Sequence, residues 1–221
     1  MSSTNRGSER PLFDFYATPA WAVARLLEEL FPATPGADPM PYFAHWVEPC
    51  AGNGAIIRAV NEWTAAACQR IDIQWQACEL DHRHSKQLSA SLGRDSLGLR
   101  LGDTLAWNDP DIHYQRSRFD VAILNPPYRQ ALEFVQWSVE HSQTTIALLR
   151  LGFLETTQRN AWLRTHTPDV YVLPNRPSFT GKGNDSTAYA WFIWRHNRIG
   201  RQVGEIRVLP DTPKKVRRFR K

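Results

Sequence analysis

With 221 residues, 42% of them hydrophobic, and a net charge of +5, the chain has room for one domain with short extensions and enough apolar material for a sizeable core. Its apolar runs fall far short of the ~20 residues that cross a bilayer, and residues 1–10 carry no signal-peptide core, so a soluble, cytoplasmic protein with no membrane partner is expected. Cys50, Cys68 and Cys78 form no CxxC pair, which argues against a disulfide framework or a zinc site, and no metal is expected.

The chain opens with a polar segment, taken as a flexible N-terminus over 1–12, ahead of one domain over 13–209. Thr18 and Pro19 read as an N-cap and a first helical position, starting a helix over 19–31 with Ala20, Ala24, Leu27 and Phe31 on one face. A proline-rich connector (32–41) leads to a buried strand, "FAHWV" (43–47), then "EPCAGNG" and a helix over 55–69. "IDIQWQACEL" is the next strand, followed by a helix through 82–92 whose His82 and His84 read as a solvated helix start and not as metal ligands. "SLGLRLGD" and "FDVAIL" (119–124) are further strands, the latter ending in "NPPY". A helix over 130–141, a strand "TTIALLRL", a helix around 156–166 and strands "DVYVL" and "TAYAWFIWR" follow, and "QVGEIRVL" reads as a candidate last strand. Strands alternating with helices indicate an α/β fold with a mainly parallel sheet. Ligands in such sheets bind outside the carboxyl ends of the strands.

The charge is unevenly placed. Residues 195–221 hold ten Lys/Arg against two Asp/Glu, which leaves the body mildly acidic. The segment 210–221 reads as a basic tail in which Lys214, Lys215, Arg217, Arg218, Arg220 and Lys221 either solubilise the chain or lie on nucleic-acid phosphates.

"VEPCAGNGAI" is a strand, a glycine turn and a helix. Gly52 and Gly54 allow a tight turn and a close approach to a ligand. The turn is not the dinucleotide fingerprint, because its third glycine would fall at Ile57, and it is not a P-loop. Glu48 precedes it and Glu79 closes the next strand. A carboxylate at Glu79 can accept two ribose hydroxyls, and one at Glu48 suits a cationic ligand, which points to S-adenosylmethionine. The competing reading makes Glu48 a cap or surface acid and Glu79 a solvated one. Asp103 is a third strand-end carboxylate, either an acceptor for an adenine amine or a cap for the next segment.

In "NPPY" each proline fixes φ and removes a donor, and Pro126 holds Asn125 extended. Acceptors are thereby concentrated at the Asn125 amide oxygen and the Pro126 carbonyl, a match for the two donors of an –NH2 group. Tyr128 offers an aromatic face for a planar base.

On these residues the chain resembles the S-adenosylmethionine-dependent amino-methyltransferases, and is most similar to the DNA adenine-N6 family. "FYATP" (15–19), "LLRLGFLE" (148–155) and "RPSFTGKGNDSTAYAWFIW" (176–194) are similar to further motifs of that family. The resemblance implies the Rossmann-like class I fold, a mostly parallel seven-stranded sheet with helices on both faces. It implies that Tyr16, Thr18 and Pro19 line the methionine end of the cofactor, that Glu48, Pro49, Cys50, Gly52 and Gly54 form its turn, and that Glu79 holds the ribose. Asp103, with Leu105 nearby, contacts the cofactor adenine, and Asn125, Pro126, Pro127 and Tyr128 form the catalytic turn, with Asn125 also facing the cofactor. Phe179 holds the target base opposite Tyr128. The core is the competing place for Tyr16 and Phe179. One departure is Glu48, where the family more often has aspartate. The expected partner is nucleic acid, DNA ahead of RNA, with RNA adenine and protein glutamine as the alternative substrates and an inactive binding subunit as the non-enzymatic one. Short connectors leave no room for a separate sequence-reading segment, so a relaxed target, a partner or a dimer is expected, and the compact build resembles a stand-alone, phage-like enzyme.

Overall fold

The computed structural model describes residues 16–32, 43–67, 72–93, 96–107, 119–179, 186–198, 200 and 203–217. The N-terminal segment expected to be flexible, most of the proline-rich connector, Cys68, Arg218, Arg220 and Lys221 lie outside the described residues. In chain order the elements are α1 (Ala20–Leu30), β1 (Phe43–Glu48), α2 (Ala55–Ala66), β2 (Asp72–Glu79), a 3-10 turn (His82–His84), α3 (Ser85–Ser91), β3 (Gly98–Leu101), β4 (Phe119–Leu124), α4 (Ala131–His141), β5 (Ser142–Arg150), α5 (Thr157–Thr165), β6 (Asp169–Val172), β7 (Tyr189–Arg195) and β8 (Ile206–Val208).

The strands form one sheet in the order β3-β2-β1-β4-β5-β7-β6-β8. All neighbours are parallel except β7, which runs antiparallel to both β5 and β6. The chain moves outward from β1 through β2 to β3, then returns to lay β4 on the other side of β1. That reversal opens a crevice at the carboxyl ends of β1 and β4. The sheet has eight strands among the described residues where seven were expected, because Ile206–Val208 pairs with the outer edge of β6.

The central strands are apolar on both sides, as a sheet covered on both faces requires. On β7, Tyr189, Trp191 and Ile193 face one core with α1 and α2, while Ala190, Phe192 and Trp194 face the other with α4. Among the buried indoles, Trp191 Nε1 donates to Ala22 O at 2.9 Å and Trp75 Nε1 to Asn61 Oδ1 at 3.0 Å, whereas Trp46 Nε1 and Trp137 Nε1 have no hydrogen-bond partner among the described residues. Helix α1 differs from expectation. It begins after Pro19, and its buried face is Trp21, Ala22, Val23, Leu26 and Leu27, with Ala20 exposed. The bulk of Trp21 and Val23 and the bond from Trp191 to Ala22 turn the helix away from the face predicted from Ala20 and Ala24.

Candidate active site

The turn after β1 is fixed from three directions. Gly54 has φ +78°, and a Cβ there would stand 2.7 Å from Ser91 Oγ on α3. Ala51 N donates to Cys78 O at 2.8 Å, and the Thr104 hydroxyl donates to Pro49 O at 2.6 Å. No sequence pattern marks Thr104; it sits 55 residues from Pro49 and meets it only through the β1–β2–β3 pairing. Gly54→Ala is expected to cost roughly 1–3 kcal/mol, the scale of a left-handed non-glycine residue, with the clash added; urea unfolding measures it.

Glu79 ends β2 by bridging this turn to the next. Its Oε2 accepts from Gly52 N at 2.6 Å and its Oε1 from Asp81 N at 2.8 Å. An ionised carboxylate has about four lone-pair sites, so each oxygen keeps acceptor capacity. Asp81, which the sequence motifs do not include, is buried and accepts from the Arg83 backbone and guanidinium. Those bonds hold its carboxyl down to about 2. Its sequence signal is an acid two residues past a strand end, followed by the His-Arg-His turn that it caps.

Glu48 is 2% exposed, and its Oε2 has no hydrogen-bond partner among the described residues. Burial, and then the nearby Glu79, push its carboxyl well above the usual range, against smaller pulls from the Ile57 amide and Arg58. It is therefore no surface acid. It touches the start of α2 through Ile57 and keeps one oxygen for something else. Burial also raises the Cys50 thiol, with Glu48 and Glu79 adding to it, and drives Cys78 up to about 12. Both stay protonated at neutral pH and are poor nucleophiles.

The stiff turn after β4 lies beside this one. The Asn125 amide nitrogen donates to Tyr16 O at 3.2 Å and to Thr18 Oγ1 at 3.1 Å. Both donors are spent on the segment before α1, which leaves Oδ1 as the acceptor. Thr18 thus binds Asn125 and does not cap α1. Pro126 is buried, while Asn125 and Pro127 line a cleft of about 400 Å³ together with Tyr16, Thr18, Glu48–Asn53, Glu79, Asp81 and Asp103. Asp103 is exposed and also accepts from Leu105 N at 2.9 Å, so it both caps the following segment and faces the cleft.

Tyr128 stands behind the turn in an aromatic cluster. Tyr16 lies between Tyr128 and Phe179, with ring centroids 5.8 and 5.9 Å away, and Phe179 meets Tyr189 at 5.2 Å. The hydroxyls of Tyr128 and Tyr189 are 2.5 Å apart, and the Arg150 guanidinium lies 3.8 Å from the Tyr128 ring centre. Phe179 is buried in this cluster. Arg150 and Tyr189 carry no local sequence signal. They reach Tyr128 only because β7 inserts antiparallel beside β5, where Arg150 pairs with Tyr189. Of the basic residues near the C-terminus, Lys214 and Lys215 are exposed and Arg217 is half-buried.

No protein-family profile matches the chain. One curated relative, a phosphoenolpyruvate carboxylase of Gloeobacter violaceus, is 26% identical over 137 residues. That match covers 62% of this chain and only 13% of the relative, so nothing of the relative's activity transfers. Among solved structures, a Listeria monocytogenes protein assigned to the class I S-adenosylmethionine-dependent methyltransferases matches with TM-score 0.61 and 13% identity, over 96% of this chain and 71% of its own. The methyltransferase subunit of a type I restriction-modification system from Streptococcus thermophilus matches with TM-score 0.60 and 18% identity, over 83% of this chain and 45% of its own. A Pyrococcus horikoshii protein assigned as an RNA methyltransferase matches with TM-score 0.56 and 13% identity, over 86% of this chain and 91% of its own. At these identities the likeness speaks for architecture: the chain has the Rossmann-like class I fold of S-adenosylmethionine-dependent methyltransferases.

Proposed function

We propose that the chain binds S-adenosylmethionine in the cleft and methylates an exocyclic amine of nucleic acid, namely adenine N6 in DNA. The observation that carries this reading is the state of Asn125. With its two amide hydrogens held by Tyr16 and Thr18, the side chain can present only an acceptor, and an amine offers the donors it needs. The residues of the cleft fit the cofactor. The orphaned, buried Glu48 oxygen suits a cationic group, the residual lone pairs of Glu79 suit ribose hydroxyls, and Asp103 suits the adenine amine. S-adenosylmethionine, when bound, supplies the methyl group.

The chain's own contribution is to prepare the nucleophile. An adenine amine is a poor one because its lone pair is delocalised into the ring. Asn125 Oδ1 and the Pro126 carbonyl, accepting its two N–H groups, draw the nitrogen toward tetrahedral geometry. Positive charge develops there during attack, so both acceptors bind the transition state better than the ground state. The prolines fix the acceptors beforehand. No covalent enzyme intermediate is required, in keeping with protonated cysteines. A base in a duplex has to be flipped out to reach this turn, where Tyr16 lines the cleft and packs against Tyr128 and Phe179 behind it.

Incubating the protein with methyl-tritiated S-adenosylmethionine and separate DNA, RNA and protein pools tests the substrate class. Label in DNA supports the reading, label in RNA moves it to the alternative nucleic acid, and label in protein refutes it. In the same assay Thr18→Val, which removes the Oγ1 acceptor of Asn125, is expected to lower kcat on the order of 10–100-fold through misalignment. Thr18→Ser should restore it.

A further inference from the structure

We propose that residues 209–217 form a docked, phosphate-binding rim of the substrate site and not a free basic arm; this rests on the nucleic-acid reading above. The topology sets the side. β8 is parallel to β6, and β6 and β5 are each antiparallel to β7, so β8, four strands along from β4, delivers the chain to the same end of the sheet as β1, β4 and β5, the end that bears the cleft. There the segment is latched. Leu209 is buried and its N–H donates to Val172 O at 2.9 Å. Thr212 is 1% exposed; its N–H donates to Asn175 Oδ1 at 2.7 Å and its hydroxyl accepts from Arg25 Nε of α1 at 3.0 Å. Asn175 Nδ2 donates to Asp211 Oδ1 at 2.5 Å, so one side chain grips two consecutive residues.

Beyond the latch the chain closes a tight turn, in which the Val216 and Arg217 N–H groups both donate to Pro213 O. That turn presents Lys214 and Lys215 to solvent, next to Arg217. Exposed Arg176 adjoins Asn175, on the same 173–179 segment that ends at Phe179 against Tyr16 of the cleft wall. Cations held in place lose less freedom on meeting a phosphate than cations on a loose tail, and phosphate contacts fix the register of a nucleic acid on its protein. The mildly acidic body makes this rim the natural landing place for a polyanion. Its charge pattern, Lys214, Lys215, Arg217 and Arg176, fits a nucleic-acid backbone running past the mouth of the cleft.

The test is the salt dependence of binding to a short DNA duplex, read by fluorescence anisotropy on the full chain with S-adenosylhomocysteine present. Lys214→Gln with Lys215→Gln should flatten the slope of log K against log salt by about 0.9 for each phosphate left without its cation. Asn175→Ala keeps every cation, yet should flatten it by a similar amount and add little to the double lysine variant. Thr212→Val, a second way to loosen the latch, should act in the same direction. An Asn175→Ala slope equal to wild type overturns the docked rim while leaving the substrate reading intact. A wild-type chain that shows no salt-dependent binding and no methyl transfer overturns the substrate reading itself. Amide hydrogen exchange on the wild type gives an answer that does not depend on how the variants fold: protection at Thr212 supports the latch, and exchange at the free-chain rate refutes it.

Discussion

Asn125→Ala is expected to bind S-adenosylmethionine with near wild-type affinity and to lose turnover by at least ~10²–10³-fold, the scale of deleting one preorganised polar group at a site of developing charge. The cofactor's expected anchors, Glu48 and Glu79, sit on β1 and β2 and do not depend on the β4 turn. The cost to folding is separable. Tyr16 O and Thr18 Oγ1 lose their Asn125 donor, and a buried acceptor left unpaired costs ~1–3 kcal/mol, which urea unfolding reports independently. Single-turnover methyl transfer together with cofactor titration separates the two effects. Methyl transfer retained in this variant would remove the acceptor from the mechanism.

Glu48→Gln is expected to weaken S-adenosylmethionine binding on the order of 100-fold, because removing one partner of a buried charge pair costs ~2–5 kcal/mol. Glutamine keeps an acceptor for the Ile57 amide, so the start of α2 should survive. Stability without cofactor should move the other way. The Glu48 carboxyl is raised in the folded protein, chiefly by burial, so its contribution is full below the unfolded value near 4.3 and is lost as pH rises through the raised folded value. The variant has no such loss and should become more stable than wild type as pH climbs above about 5. Urea titrations across pH 5–8, with and without cofactor, read both signs. Equal cofactor affinity in the two proteins would contradict a cationic ligand at this carboxylate.

What the sequence disclosed was mostly local. β4 and the turn that follows are legible because an apolar run meets two prolines whose φ is fixed by chemistry. The β1 turn is legible because two glycines separate a strand from a helix. Pairings between distant segments were not. Nothing near Thr18 announces that it will meet Asn125, 107 residues away, and its place before a proline made a helix cap the cheaper reading. The face of α1 is not legible because a helical period weighs small alanines and Trp21 alike, while the bond from Trp191 on β7 to Ala22 fixes the rotation. The sequence marks 202–209 as a candidate last strand, but only the structure shows that 206–208 pair and that their partner is β6. The same pairing carries the basic segment to the end of the sheet that bears the cleft, a consequence of strand direction that composition cannot express.

The most direct measurement is nucleoside analysis of DNA treated with the protein and S-adenosylmethionine carrying a deuterated methyl group. The proposed hold of Asn125 and Pro126 on an amine predicts the label in N6-methyl-2′-deoxyadenosine, absent with Asn125→Ala. Label on a ring carbon, such as position 5 of cytosine, would contradict the account, since a carbon nucleophile offers no N–H for Asn125 and Pro126 to hold.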